Sequence, residues 1–398
     1  MALLLQRLGN IRVGTETIAT GDALGRVTGA RYVSPTGLPA FARSSMDGYS
    51  VRAADTFGAT EGLPAYLSVN GEVPMGRAPE VTLGPGDAAV AFTGGMLAHG
   101  ADAVVMVEHT QIVDDSTIEV TRPVAPGENV IQKDEDVRQN EDVLLAGHTL
   151  RPQDIGALLA LGITEVSVAK QPKVAIVSTG DELVTPDKKP GDGQVRDINT
   201  YTVASLVHRA GGTPVPVGVF PDDIDVQRTA ARRAMALGDV VIFSAGSSMG
   251  SRDMTAAVLS GLGEPGVLVH GIAIKPGKPT IAGLAGQTPI FGLPGNPVSA
   301  MVVFDLLVRP VIRALLGSRS PELRPTVTAT LTRDVPSVSG RQDHFPVSLI
   351  ESADGVVAEP IFGKSNLIFT LVRADGIASV PLNSGGLYAG EPVRVVLF

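Results

Sequence analysis

Two lysines, Lys275 and Lys278, stand three residues apart in IAIKPGKPT, framed by Pro276, Gly277 and Pro279. Ammonium groups on a backbone preset by proline and freed by glycine can grip an oxyanion as paired point charges. The chain as a whole is acidic, with a formal net charge of -9, so this cationic spot is local. Carboxylates occur in other segments: Asp181 and Glu182 in STGDEL, Asp222 in FPDDIDV, and Asp253 in SAGSSMGSRD. In the last of these, Gly246, Ser247 and Ser248 form a loop of small residues able to approach a phosphate closely. A carboxylate following such a loop is a pattern in which a metal-bound phosphate is held, and Mg²⁺ needs only a few carboxylate oxygens, with waters completing its octahedron. The chemistry these residue types serve is an oxyanion together with a divalent cation.

Several of the same residues have purely structural readings. Asp222 opens a helix and its spacing favours an N-cap; Asp181 could cap the next turn, and Asp197 and Asn199 in VRDINT are similarly ambiguous. In NTYTVASLVHRAGG, Asn199 is expected as the N-cap, with Val203, Leu206, Val207 and Ala210 on the buried face and Gly211 at the end. In GLPGNPVSA, Asn296 is expected as an N-cap with Pro297 in the first helical position, leaving N–H groups and the positive dipole end free for an anion.

The elements that must hold these loops follow from periodicity. From Pro172 to about Leu316, apolar runs such as KVAIVSTG, DVVIFSAG and TPIFGLPG alternate with helical patterns, which predicts a parallel, doubly wound α/β domain. Three of its strands end in STGDEL, SAGSSMGSRD and GLPGNPVSA; ligands of open α/β sheets bind outside the carboxyl ends of strands, so these loops are expected to line one crevice. Between Val51 and about Pro126, short β-like runs separated by Gly, Pro and Asp predict an inserted all-β domain. TLRPQDIGALLALG predicts a helix with Ile155, Leu158 and Leu159 at helical spacing. If that helix packs back on the N-terminal region, the flanks of the insertion form one discontinuous domain. Beyond GSRSPELRP, alternation of period two predicts a C-terminal β-barrel or sandwich.

Composition excludes other chemistries. With no cysteine, the chain has no disulfide, no thiolate catalysis and no Cys-based metal site, and its six histidines show no HExxH spacing. An acidic chain without a basic run is not expected to bind nucleic acid. No apolar stretch approaches the roughly 20 residues that span a bilayer, and MALLLQRLGN has neither a basic n-region nor a cleavage site, so cytoplasmic residence is expected.

Taken in order along nearly the whole chain, SSMDGYS, FTGG with GADAVVMVEH, VSTGDEL, GSRD, IKPGKPT and GLPGNPVSA resemble the MoeA family, the molybdopterin molybdenumtransferases. PGKPT and GLPGNPVSA are the most specific; TGDEL also occurs in the related adenylyltransferases and in CinA-like proteins. The resemblance implies an elongated homodimer of four-domain chains. The domains are a discontinuous N-terminal or linker domain (1–47 and 137–171), an inserted small β domain (48–136), a doubly wound, MogA-like α/β catalytic domain (172–318) and a C-terminal β-barrel domain (322–398). It implies transfer of molybdenum from molybdate into adenylylated molybdopterin, with Mg²⁺ present and AMP released. The soft sulfur ligands then come from the pterin dithiolene, consistent with a chain lacking cysteine.

Carried over by motif, Asp47 and Thr93 help form the pocket. Glu182, Asp222 and Asp253 bind Mg²⁺ or orient water, with Glu182 and Asp253 as the metal-linked pair, and Lys275 and Lys278 reduce repulsion between the two anionic substrates. Gly246, Ser247, Ser248 and Gly250 cradle phosphate. Gly180, Asp181, Pro276, Gly277, Pro294, Gly295, Asn296 and Pro297 shape the substrate site. SGRQDHF and GKSNLI place Arg341 and Ser365 near molybdate. Some members carry a lysine four residues before the position of Lys275, where this chain has Gly271; either that lysine is dispensable or another cation, Lys278 or His270, substitutes. A molybdopterin adenylyltransferase and molybdoenzymes are the implied partners. The competing readings are adenylylation of molybdopterin with ATP, since that α/β domain looks much the same, and a non-catalytic scaffold.

Overall fold

The computed structural model describes residues 1–245, 249–319, 324–353 and 355–398, with backbone alone for 249–252. The chain divides into two compact units, one made of Met1–Ala30, Ala146–Pro152 and Glu165–Phe398, the other of Arg31–Leu145 and Gln153–Thr164. No helix among the described residues is long and apolar enough to cross a membrane.

The smaller unit contains the sheet expected of the insertion. Its strands are β1 (Gly48–Val51), β2 (Ala65–Glu72), β3 (Asp87–Ala91), β4 (Ala103–Met106), β5 (Thr110–Asp114) and β6 (Thr117–Val120), in the order β4-β1-β3-β2-β6-β5. Val51, Leu67, Val105, Ile118 and Val120 share one core, the buried face of a period-two pattern. Gly48 is confined between strands: a Cβ there would lie 1.9 Å from the Val105 carbonyl oxygen. The helix expected near residue 155 forms over Pro152–Ala160. Leu158 is buried as expected, whereas Leu159 is exposed and Asp154 takes a buried place.

The larger unit holds the doubly wound sheet and the barrel. Strands β7 (Lys173–Thr179), β8 (Thr213–Phe220), β9 (Val240–Ala245), β10 (Pro265–His270), β12 (Ile281–Ala285) and β13 (Thr288–Pro294) run in the order β8-β7-β9-β13-β12-β10, and a short β11 (Ile274–Lys275) lies outside this sheet. The pairs β8–β7, β7–β9 and β9–β13 are parallel. Helices α1 (Asn199–Arg209), α2 (Ile224–Leu237), α3 (Met249–Ser260), α4 (Pro297–Val303) and α5 (Arg309–Leu315) cover it. Alternate residues of β7 go to opposite faces: Val174 and Ile176 pack with Val203 and Val207 of α1 and Val303 and Ile312 of α4 and α5. Ala175 and Val177 pack with Ala231 and Ala234 of α2 and Leu259 of α3. Burial on both faces is why these strands read as unbroken apolar runs. Between α4 and α5, a π-helical turn at Phe304–Val308 precedes Pro310, whose missing N–H an ordinary ladder would not accommodate.

The C-terminal segment closes on itself. Strands β14 (Thr326–Leu331), β15 (Gln342–Ser352), β16 (Gly355–Pro360), β17 (Gly376–Val380) and β18 (Pro392–Leu397) pair in the order β15-β16-β14-β18-β17, and β17 returns to β15. The element is thus a five-stranded barrel and not a sandwich, filled by Leu331, Phe345, Val347, Ala358 and Val395 among others. The short β11 pairs in parallel with β15, placing Ile274 opposite Gln342 and Lys275 opposite Asp343. The two-lysine segment is therefore an added edge strand of the barrel.

Candidate active site

Because β7, β9 and β13 are parallel neighbours, their carboxyl ends lie on one edge of the sheet. Asn199 ties that edge together: its Nδ2 donates to Ser244 Oγ at the end of β9 and to the Gly295 carbonyl after β13, both at 2.8 Å. It is therefore not the N-cap expected from sequence. Asp197 does that work, accepting the Thr200 N–H at 3.1 Å. Gly246, Ser247 and Ser248 lie outside the described residues, and Gly250 is described in backbone only, within α3.

Beside this edge, between the ends of β9 and β13 and the barrel, is a cavity of about 680 Å³. That volume is in the range for sites enclosing a drug-sized molecule, so there is room for far more than a four-oxygen anion. Lys275, Pro276, Gly277, Lys278, Pro294, Gly295, Asn296, Arg341 and Ser365 all line it, whereas His270 does not. Pro297 is buried at the first turn of α4. Among the described residues, four cationic side chains line the cavity, Lys275, Lys278, Arg341 and Lys364, against one carboxylate, Asp343. In a chain of net charge -9 this is a sharply local positive field.

Asp343 organises half of that charge. Only 5% exposed, it receives a bidentate pair from Arg341, Nε at 2.6 Å and Nη2 at 3.0 Å, and lies 3.8 Å from Lys275 Nζ. A fork-shaped guanidinium on a buried carboxylate is held in a fixed direction. His344 beside it has its pKa pushed down by burial, with the Asp343 charge opposing, and its Nε2 finds no partner among the described residues. The lysine segment is rigid for local reasons. Its backbone closes through Ile272 N–H to Lys278 O at 2.9 Å and Gly271 N–H to Thr280 O at 2.8 Å, and the buried Thr280 hydroxyl donates to Gly277 O at 2.6 Å.

Asn296 occupies the N-cap position with Pro297 following, as expected, but its side chain makes no cap. It donates instead to Ser365 Oγ at 2.9 Å, while the Ser365 carbonyl accepts the Val298 N–H at 3.1 Å. A barrel residue thus occupies a donor of α4 that sequence alone left open for an anion. Sequence reasoning missed Asp343 and Lys364; the signals were Asp343 two residues after Arg341 where β15 begins, a spacing that favours one face, and Lys364 directly before Ser365.

The carboxylates gather at the end of β7. Asp181 Oδ1 accepts the Asp222 N–H at 3.0 Å. Asp222 is not the cap of α2, a role filled by Asp223, whose Oδ1 accepts the N–H groups of Asp225 and Val226 at 2.9 Å. Freed from capping, Asp222 has its pKa raised by burial and by the charges of Asp181 and Glu182, against a lowering hydrogen bond from Gln227. Gly180, at φ +153, lies against the Glu182 carboxylate, 2.7 Å from its Oε2 to an added Cβ. Asp253 is exposed on α3. None of Asp181, Glu182, Asp222 or Asp253 lines the cavity. The ends of β7 and β13 are two strand spacings apart, about 10 Å.

Mutually repelling carboxylates offer the hard oxygen donors that suit Mg²⁺. Among the described residues no three acidic or histidine side chains form a ready metal cage. A raised acid pKa stabilises the fold fully only below the ordinary value of 3.8, and that contribution is lost as pH rises through the raised value. At neutral pH, therefore, the folded state carries a repulsion the unfolded chain lacks. Asp222→Asn is expected to raise Tm at pH 7 without divalent cation, by an amount that shrinks toward about pH 4. Scanning calorimetry across that range checks this; a Tm lowered at pH 7 contradicts it.

In the smaller unit, the Asp47 carboxylate accepts the Thr93 N–H at 2.8 Å and the Thr93 hydroxyl at 2.9 Å, bonds that hold its pKa below the ordinary carboxylate value. The two residues singled out there form one exposed, hydrogen-bonded pair.

Comparison with known proteins agrees with this arrangement along the chain. Residues 1–162 match the MoeA N-terminal region (domain I and II), 175–314 a probable molybdopterin binding domain, and 328–398 the MoeA C-terminal region (domain IV). Molybdopterin molybdenumtransferase 2 of Mycobacterium tuberculosis is 33% identical over 95% of this chain and 94% of its own. Molybdopterin molybdenumtransferase of Haemophilus influenzae is 35% identical over 96% and 94%. A crystal structure of the molybdopterin biosynthesis moeA protein from Pyrococcus horikoshii covers 100% of this chain and 98% of its own, with a TM-score of 0.85 at 32% identity. With its N-terminal, molybdopterin-binding and C-terminal regions all matched, and relatives above 30% identical over nearly its whole length, the chain belongs to the MoeA family.

Proposed function

We propose that this protein acts in molybdenum cofactor biosynthesis, transferring molybdenum from molybdate into adenylylated molybdopterin with release of AMP. The observation that carries the reading is the cavity itself: four cations around one buried carboxylate, with room for a pterin, beside a separate carboxylate cluster on the same sheet edge. Two anions repel in water, and a field of this sign lets them share a site. Lys275 and Arg341, oriented by Asp343, bind the molybdate oxygens; Lys278, Asn296 and Ser365 hold the neighbouring part of the substrate. Glu182 and Asp253 would hold Mg²⁺ against phosphate oxygens, with Asp222 orienting water. When bound, Mg²⁺ neutralises phosphate charge and favours departure of AMP. Asp47 and Thr93 are assigned a substrate-binding role by motif alone. The reading includes cytoplasmic residence, a homodimer, the four domains bounded as above, and exchange with a molybdopterin adenylyltransferase and molybdoenzymes.

Incubation of the purified protein with adenylylated molybdopterin, molybdate and Mg²⁺ is expected to release AMP only when molybdate is present. Consumption of ATP with bare molybdopterin would instead indicate an adenylyltransferase. Binding without turnover would indicate a scaffold.

A further inference from the structure

Lys364 lies on the cavity wall, in the connection between β16 and β17, and its ammonium makes no hydrogen bond or ion pair with any described residue. Its root is nevertheless fixed. The Lys364 carbonyl accepts the Leu367 N–H at 3.0 Å, and the next residue, Ser365, is bonded twice to the start of α4, through Val298 N–H and Asn296 Nδ2. The four cavity cations therefore fall into two sets. Lys275 and Arg341 both face Asp343, which offsets part of their charge and sets their direction. Lys278 and Lys364 have no such partner among the described residues. Both are solvent-exposed on the cavity wall, so their mutual repulsion is screened, and each keeps an unengaged ammonium that an anion entering the cavity can take up.

We propose that Lys364 is a substrate-binding residue of this cavity, forming with Lys278 an oxyanion subsite distinct from the Lys275, Arg341 and Asp343 set. The ligand class is a doubly charged tetrahedral oxyanion, supplied either by molybdate or by the phosphate of the adenylylated substrate. This inference rests on the function proposed above, and it adds a cation to the site and divides the cavity's charge between two anions. A long ammonium-bearing side chain on a tethered turn reaches into the space without needing a fixed rotamer, whereas Arg341 is locked by its fork.

The test is calorimetric titration of the intact protein with molybdate and, separately, with AMP, at two or more salt concentrations. Lys364→Ala and Lys364→Gln are expected to weaken one of the two ligands about five- to tenfold, the size of one partly screened charge contact, and to flatten its salt dependence. Lys364→Arg should recover most of the affinity, which a role in folding alone would not produce. Weakening confined to molybdate assigns the subsite to the tetraoxyanion; weakening confined to AMP assigns it to the phosphate. If the wild type binds both and neither is weakened in Lys364→Ala and Lys364→Gln, the inference is overturned while the proposed function stands. If the wild type binds neither, the proposed function fails and this subsite with it.

Discussion

Lys275→Ala is expected to lower the rate of the proposed molybdate-dependent AMP release about a hundred- to thousandfold, the cost of removing one preorganised charge contact from a developing anion. Stability should change by less than about 1 kcal/mol, because the lysine side chain is 61% exposed and its 3.8 Å pairing with Asp343 is of the weak, solvent-screened kind. A large kinetic loss with an intact fold separates substrate contact from scaffolding. Lys275→Arg should recover only part of the rate, since a planar guanidinium cannot reproduce a compact ammonium on an edge strand whose register is set by β15. Turnover and urea denaturation measured on the same preparations check both statements. A rate loss below about tenfold would remove Lys275 from the reaction.

Gly277→Ala carries the largest expected effect on the fold. The glycine has φ +119, a backbone conformation that side chains rarely adopt. An added Cβ would also lie 2.6 Å from Val303 Cγ2 and 2.9 Å from Ile274 Cδ1. Strained backbone and overpacking together are expected to cost about 3 kcal/mol. The displaced atoms belong to α4 and to β11, so the two lysines flanking Gly277 lose their relation to Arg341, and activity falls with stability. A thermal scan of the variant should show a lowered Tm for the transition that includes the α/β sheet. An unchanged scan would mean the segment yields without cost.

The contrast between these residues shows how far the sequence could be read. Lys275, Gly277 and Lys278 were legible because their meaning is local: proline and glycine constrain the backbone within the same nine residues. The order of strands and helices was legible for the same reason, since periodicity is written along each element. Asp343 was not, because its role depends on β11 pairing with β15, a register between segments distant in the chain. The choice of cap for α2 was also hidden. Two aspartates stand side by side, and only the folded backbone, with Asp223 at φ -115 and ψ 127, decides which one caps and which is left to face Asp181 and Glu182. Asn199 misled by one position, since the helix begins on it and its amide is drawn to Ser244 and Gly295. Strand ends rich in small residues marked the sheet edge beside the cavity, and the charged side chains that line it come from wherever the tertiary fold brings them.

Anomalous diffraction at the molybdenum edge from crystals soaked in molybdate tests the central electrostatic claim most directly. A molybdenum peak within hydrogen-bond reach of Lys275 and Arg341, inside the cavity between the sheet edge and the barrel, is the predicted result. Molybdenum bound only elsewhere on the protein, with the cavity holding none, would contradict it.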